Sequence, residues 1–188
     1  GQMGNGIAQV GACAGYEVMM IDIEQSYVDR GLSSIESSLS KLVSKDRMSQ
    51  DDADSALSRV RTSTSKQSAS ECDLVIEAIP EIPDLKFSTF SELDGICKDD
   101  AILASNTSSI SIDEIAASTN RPDRVIGMHF MNPVPIMKLV EIINGSQTSQ
   151  AVNTAVVEAA EKMGKTALSC NDSPGFVSNR ILCPMLNE

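Results

Sequence analysis

Histidine, tryptophan and basic side chains are what this 188-residue sequence is short of: it has one His, no Trp and 3% aromatic residues in all. A core must then be built from aliphatic residues and nine Met, within an apolar fraction of 41% that suits a soluble globular class. Fifteen basic against 26 acidic residues leave a net charge of -11, the wrong sign for nucleic-acid phosphates or an anionic membrane. Any anionic ligand must be held by local groups. The five cysteines, Cys13, Cys72, Cys97, Cys170 and Cys183, are odd in number and lack Cys-x-x-Cys spacing. With a single His, this argues against a zinc site and against a disulfide framework, and it fits a reducing compartment. No apolar stretch is long enough to cross a bilayer as a helix. There is no repeat, low-complexity tract or Gly/Ser linker, so the length suggests one domain. The sequence opens on Gly1 without an initiator Met, signal peptide or transit peptide.

What is present alternates helix and strand. Asn5 to Ala14 is small and apolar, Gly15 is a helix stop, and Tyr16 to Ile21 is a strand ending at Asp22. Leu32, Ile35, Leu39 and Leu42 give the next helix one apolar stripe. Ser49, followed by Asp51 and Asp52, reads as the cap of a helix running through Val60. The spacing then predicts a strand at Leu74 to Ile79, a helix at Pro83 to Cys97 and a strand at Ala101 to Ala104. A short helix at Ile112 to Ala117 follows, then strands at Val125 to Phe130 and Lys138 to Ile143. A helix from Ser149 to Met163, a weak strand at Thr166 to Cys170 and a helix from Phe176 onward complete the chain. Continuous apolar strands alternating with helices imply an α/β fold, a mostly parallel sheet covered on both faces.

Three segments are candidates for chemistry. Gly1-Gln2-Met3-Gly4 opens a helix, and Asp22 lies about 20 residues on, the arrangement that seats a dinucleotide pyrophosphate and binds its ribose hydroxyls. A Gly-tolerant helix start beside a solvated Asp is the plainer alternative. An acid at this place favours NAD over NADP, because a carboxylate repels the 2′-phosphate. His129 is the natural base near neutral pH, and an antiparallel return of the chain would set Glu141 beside it, to hold one tautomer. A satisfied strand-end His and a solvated Glu are the alternatives. Ser105-Asn106-Thr107-Ser108-Ser109 follows a buried strand, either at the ligand-binding edge of the sheet or as a local helix cap.

Taken in order, Gly1-x-Met3-Gly4-x-Gly6-Ile7-Ala8, Ser105 to Ser109, His129-Phe130-Met131-Asn132-Pro133 and Pro174-Gly175-Phe176-Val177-x-Asn179-Arg180 resemble the NAD-binding domain of the 3-hydroxyacyl-CoA dehydrogenase family. The resemblance covers essentially the whole chain. It implies a Rossmann-type sheet and NAD-dependent interconversion of 3-hydroxyacyl-CoA and 3-ketoacyl-CoA in fatty-acid metabolism. It implies His129 as base, Glu141 as its support, and Ser108 and Asn179 as polar groups around the reacting oxygen. Gly1, Gln2, Met3, Gly4, Asp22, Glu81, Lys86, Asn106, Ser108 and Asn132 match cofactor contacts. Ser38 and Lys45, on the long helix after Asp22, match coenzyme A contacts, and Ser108 matches a substrate contact near the thioester. No metal is expected.

The family also has a strand before Gly1 and a helical domain after Asn179 that supplies most of a homodimer interface. Residues 1–173 are therefore expected to be the cofactor domain and 174–188 the start of a helical one. The sequence is expected to be a partial record, poorly stable and inactive by itself; a cooperative melt with full turnover would refute this. A non-catalytic structural relative and a dehydrogenase of free hydroxy acids are the rival readings. The compartment is left open between cytoplasm in a prokaryote and mitochondrion or peroxisome in a eukaryote.

Overall fold

In a computed structural model describing residues 1–188, the small residues after Gly1 form α1 (Gln2–Cys13), which ends where Gly15 takes a left-handed φ of 87°. β1 (Val18–Ile21) leads into α2 (Gln25–Val43), whose stripe buries Val28, Ile35 and Leu39. Ser49 caps α3 (Gln50–Ser58) by accepting the Asp52 N–H, as its position before two acidic residues predicts. The helix does not run through Val60. Residues Val60–Ser63 are instead a strand, β2, paired in parallel with β1 from Val18↔Val60 to Ile21↔Ser63.

After a short 3₁₀ turn at Lys66–Ala69 come β3 (Leu74–Glu77), α4 (Pro83–Ile96), β4 (Ile102–Ser105) and α5 (Ile112–Ala116). β5 (Val125–Phe130), β6 (Leu139–Asn144), α6 (Gln150–Lys162), β7 (Thr166–Asn171) and α7 (Ser178–Asn187) complete the chain. The second sheet runs β3-β4-β5-β6-β7, every neighbouring pair parallel except β5 with β6. No ladder joins it to β1-β2, so β1 and β3 each have one paired edge.

Alternating residues send the strands' side chains to opposite faces. Ala104, Ile126, Met128, Phe130, Val140 and Ile142 meet Ile7 and Val10 of α1 and Val152 and Val156 of α6. Leu103, Val125 and Ile143 face the other way, onto Phe90 and Leu93 of α4 and Ile112 and Ile115 of α5. The sheet is thus sandwiched between helices, as the continuous apolar strands require. Gly127 of β5 sits opposite Ile143, where a Cβ would come within 2.8 Å of the Ile143 Cβ and 3.0 Å of Ile112. Its missing side chain lets α5 approach the strand. No helix is long and apolar enough to cross a membrane.

Candidate active site

β4 and β5 run parallel, so the loop after Ser105 and the end of β5 emerge at one edge of the sheet, and β6 begins there on its way back. The β5–β6 register pairs His129 directly with Glu141. Both side chains fall on the α5 face, and both are buried, Glu141 completely. His129 Nδ1 lies 2.8 Å from Glu141 Oε2, and its Nε2 lies 3.1 Å from Ser108 Oγ.

Burial acts to raise the Glu141 pKa, but bonds from His129 and from the Ser178 and Val177 N–H groups outweigh it and hold the carboxyl below its ordinary 4.5. An ionised Oε2 can only accept, so Nδ1 carries a proton, and Nε2 is the ring nitrogen left to exchange one. Asn179 Nδ2 donates to the Ser108 carbonyl at 3.3 Å. Ser108, His129, Glu141 and Asn179 therefore form one cluster, as the motif order implies. The Cys170 thiol is pushed up to about 11, by burial first and then by the charges of Glu141 and Asp172, which disfavours its thiolate at neutral pH.

The residues matched to cofactor contacts line the same edge. α1 starts with no side-chain cap and no acid in its first turn, which leaves the amides of its first turn, from Gln2 to Gly4, to an anion. Asp22 follows β1 directly and lies 3.2 Å from the Gly1 nitrogen, so helix start and acid share this edge. Gln2 Nε2 donates to Asn132 Oδ1 at 3.2 Å, tying α1 to the loop after β5. Asn132 precedes Pro133 through a cis peptide. An uncapped helix start, a nearby carboxylate and no competing acid fit a dinucleotide such as NAD.

Two of these residues have structural work as well. Glu81 Oε1 accepts the Thr107 hydroxyl, the Ser108 and Ser109 N–H groups at 2.8 and 3.1 Å, and the Ser109 hydroxyl, so it holds the loop that presents Ser108. Asn106 Oδ1 accepts the Phe130 N–H at 2.8 Å and pins that loop to β5.

Lys86, matched to a cofactor contact, is held by carboxylates. Its side chain is 1% exposed, and its ammonium lies 2.7 Å from Glu77 and 3.4 Å from Glu81, which in turn holds the loop that presents Ser108. The coenzyme A candidates stand apart from the cluster. Ser38 lines a shallow groove on α2 with Arg30, Ser33, Ser34, Ser37 and Lys41. Lys45 lies in the turn beyond the end of α2, not on the helix as expected.

Sequence reasoning missed the Val177 and Ser178 amides, whose 3.0 and 2.7 Å bonds to Glu141 Oε1 bring the start of α7 into the site. Backbone donors leave no residue-type signal. It also missed Lys165, whose buried ammonium donates to the Val134 and Met137 carbonyls and fastens the loop that carries Asn132.

Acid should dismantle this arrangement. Glu81 and Glu141 are held below 4.5 by their donors against the opposing effect of burial, and Asp94 below 3.8 by Asn120 and Arg121. Groups depressed on folding add stability above their unfolded pKa and lose it as pH falls through the folded value. Urea melts should therefore give a stability that is level from pH 7 to about 5 and falls below roughly pH 4.5. Asp94→Asn should be less stable at pH 7 and shallower in acid; an unchanged slope would count against this.

Residues 1–173 match the family described as 3-hydroxyacyl-CoA dehydrogenase, NAD binding domain. The whole chain is 54% identical to a probable 3-hydroxybutyryl-CoA dehydrogenase of Deinococcus radiodurans, covering 67% of it, and 51% identical to one of Bacillus subtilis, covering 66%. Among solved structures, the (S)-3-hydroxybutyryl-CoA dehydrogenase of Ralstonia eutropha is 49% identical, with a TM-score of 0.98 over the whole chain and 66% of that protein. The chain thus spans about two thirds of the length of these relatives.

Proposed function

The chain belongs to the 3-hydroxyacyl-CoA dehydrogenase family and supplies its NAD-binding domain, and on that footing we propose that the full protein oxidises a 3-hydroxyacyl-CoA, or reduces the 3-ketoacyl-CoA, at C3. The observation that carries this reading is the His129 ring, held by Glu141 at 2.8 Å on one nitrogen and open to Ser108 on the other. Bound NAD supplies the hydride acceptor. His129 Nε2 takes the 3-hydroxyl proton, so no protonated carbonyl has to form. Glu141 stabilises the imidazolium that results. The Ser108 hydroxyl and the Asn179 amide donate to the oxygen as charge builds on it. The amides from Gln2 to Gly4 seat the pyrophosphate, and Asp22 binds the adenosine ribose.

The substrate in this reading is a CoA thioester, with Ser38 and Lys45 toward the coenzyme A portion, and the full protein is a homodimer. The apolar face of α7, where Ile181, Leu182, Met185 and Leu186 are 50 to 75% exposed, supports burial of that helix against further protein. The test is NADH consumption by the full-length protein with acetoacetyl-CoA against free acetoacetate. Turnover of the thioester alone is expected. No NADH oxidation with any 3-ketoacyl-CoA, or equal rates on the free acid, would remove the proposal. Asp22→Ala should weaken NADH binding by roughly 10- to 100-fold, through loss of charge-assisted bonds, and leave NADPH binding no weaker. Equal losses for the two cofactors would take Asp22 out of the ribose site.

A further inference from the structure

The segment leading into α7 enters the active site in an unusual backbone conformation. Gly175 has φ of 75°, and a Cβ there would stand 3.0 Å from the Arg180 nitrogen, so glycine meets both demands. Phe176 follows with φ of 51°, a region a bulky residue adopts only when its surroundings hold it there. Its ring is 2% exposed and meets the His129 imidazole edge-on, centroids 5.8 Å apart at 61°. Val177 returns to right-handed geometry at φ -105° and ψ -55°.

This change of hand aims consecutive N–H groups at one point, the concavity that binds anions elsewhere. The point here is Glu141 Oε1, 3.0 Å from the Val177 nitrogen and 2.7 Å from the Ser178 nitrogen. The opposite oxygen of the same carboxylate carries the bond to His129. α7 buries no residue of its own. Its attachment runs through Phe176, through Glu141 and through Asn179 on the Ser108 carbonyl.

We propose that Phe176 is a positioning residue for the His129–Glu141 pair: its left-handed backbone turns two amides onto the far oxygen of Glu141, and its ring edge seats the imidazole. Phe176 acts through its neighbours and handles no proton. The inference deepens the proton-transfer role given to His129 above and rests on that reading for its kinetic consequence.

The test uses the full-length protein with Phe176→Val and Phe176→Gly. A β-branched side chain resists the left-handed region, whereas glycine adopts it freely. Valine thus removes both ring and turn, and glycine the ring alone. Three readouts are taken: NADH-dependent turnover of acetoacetyl-CoA, the NADH dissociation constant, and the proton NMR signal of the imidazole Nδ1–H, identified by its absence in His129→Gln.

Phe176→Val is expected to lose turnover on the order of 10²-fold and to lose the Nδ1–H signal to exchange, with NADH affinity changed by no more than about twofold. Phe176→Gly should keep the signal and lose roughly 10-fold in turnover. A folded Phe176→Val with parental turnover and a parental Nδ1–H signal would overturn the proposal. Should the valine variant not fold, parental turnover in Phe176→Gly would overturn it. The Nδ1–H signal reads the geometry of the pair whatever the reaction is. Retained turnover in His129→Gln would therefore sink the functional reading, and leave the placement of Phe176 to be decided by the signal.

Discussion

Replacing His129 with glutamine should lower turnover on the order of 10²- to 10⁴-fold while NADH affinity stays within about twofold. Glutamine retains a polar group at the end of β5 but has no nitrogen able to take a proton. The loss therefore falls on kcat rather than on binding. The surroundings survive the change, because Glu141 keeps the Val177 and Ser178 amides on Oε1 and loses only one of its three donors. The cofactor-side residues, from Gln2 to Gly4 and Asp22, do not touch the ring. Steady-state kinetics with acetoacetyl-CoA and NADH, paired with NADH fluorescence titration, separate the two effects. A variant with parental kcat would take His129 out of the chemistry; one that lost NADH binding in proportion would show the ring to be a cofactor contact instead.

The largest stability effect is expected at Lys86. Its ammonium is 1% exposed and has Glu77 Oε1 at 2.7 Å, the Ile79 carbonyl at 3.3 Å and Glu81 at 3.4 Å. Lys86→Met fills much the same volume but leaves the Glu77 carboxylate, itself buried, with only the Ser105 hydroxyl and the Ile79 N–H. An uncompensated buried charge of this kind costs about 3 to 5 kcal/mol. In a chain of this length that is a fall in Tm on the order of 10 °C. Adding Glu77→Gln should restore most of it, since removing both charges also removes the desolvation penalty. A thermal melt of the single and double variants checks both statements. A single variant melting within about 2 °C of the parent would mean that Glu77 sheds or solvates its charge.

The sequence showed the central strands because their apolar runs are continuous: Val125 to Phe130 is buried at all six positions. It showed His129 beside Glu141 because an antiparallel return is geometry that residue counting can express. β2 escaped because a four-residue strand with two exposed positions, Arg61 and Thr62, carries almost no apolar signal, and pairing with β1 is what makes it a strand. Strand β3 ends at Glu77, two residues before the expected Ile79, because the Glu77 side chain turns back to accept the Ile79 N–H. That Lys86 is buried between Glu77 and Glu81 was not legible, because a residue type does not reveal which carboxylates the fold sets around it. The turn at Gly175 and Phe176 was seen as a motif, but its two amide bonds are main-chain chemistry.

The hairpin between β5 and β6 also limits which changes of length this protein can absorb. Strand side chains alternate, so a slip of one residue in the pairing would carry Glu141 through the sheet to the side occupied by α1 and α6, where Val140 and Ile142 now lie. Insertions between Met131 and Met137 are thus harmless only when the added residues bulge outward and the ladder re-forms in its original phase. A deletion that drags the returning strand along by a single position would disarm the enzyme with every reactive side chain still encoded.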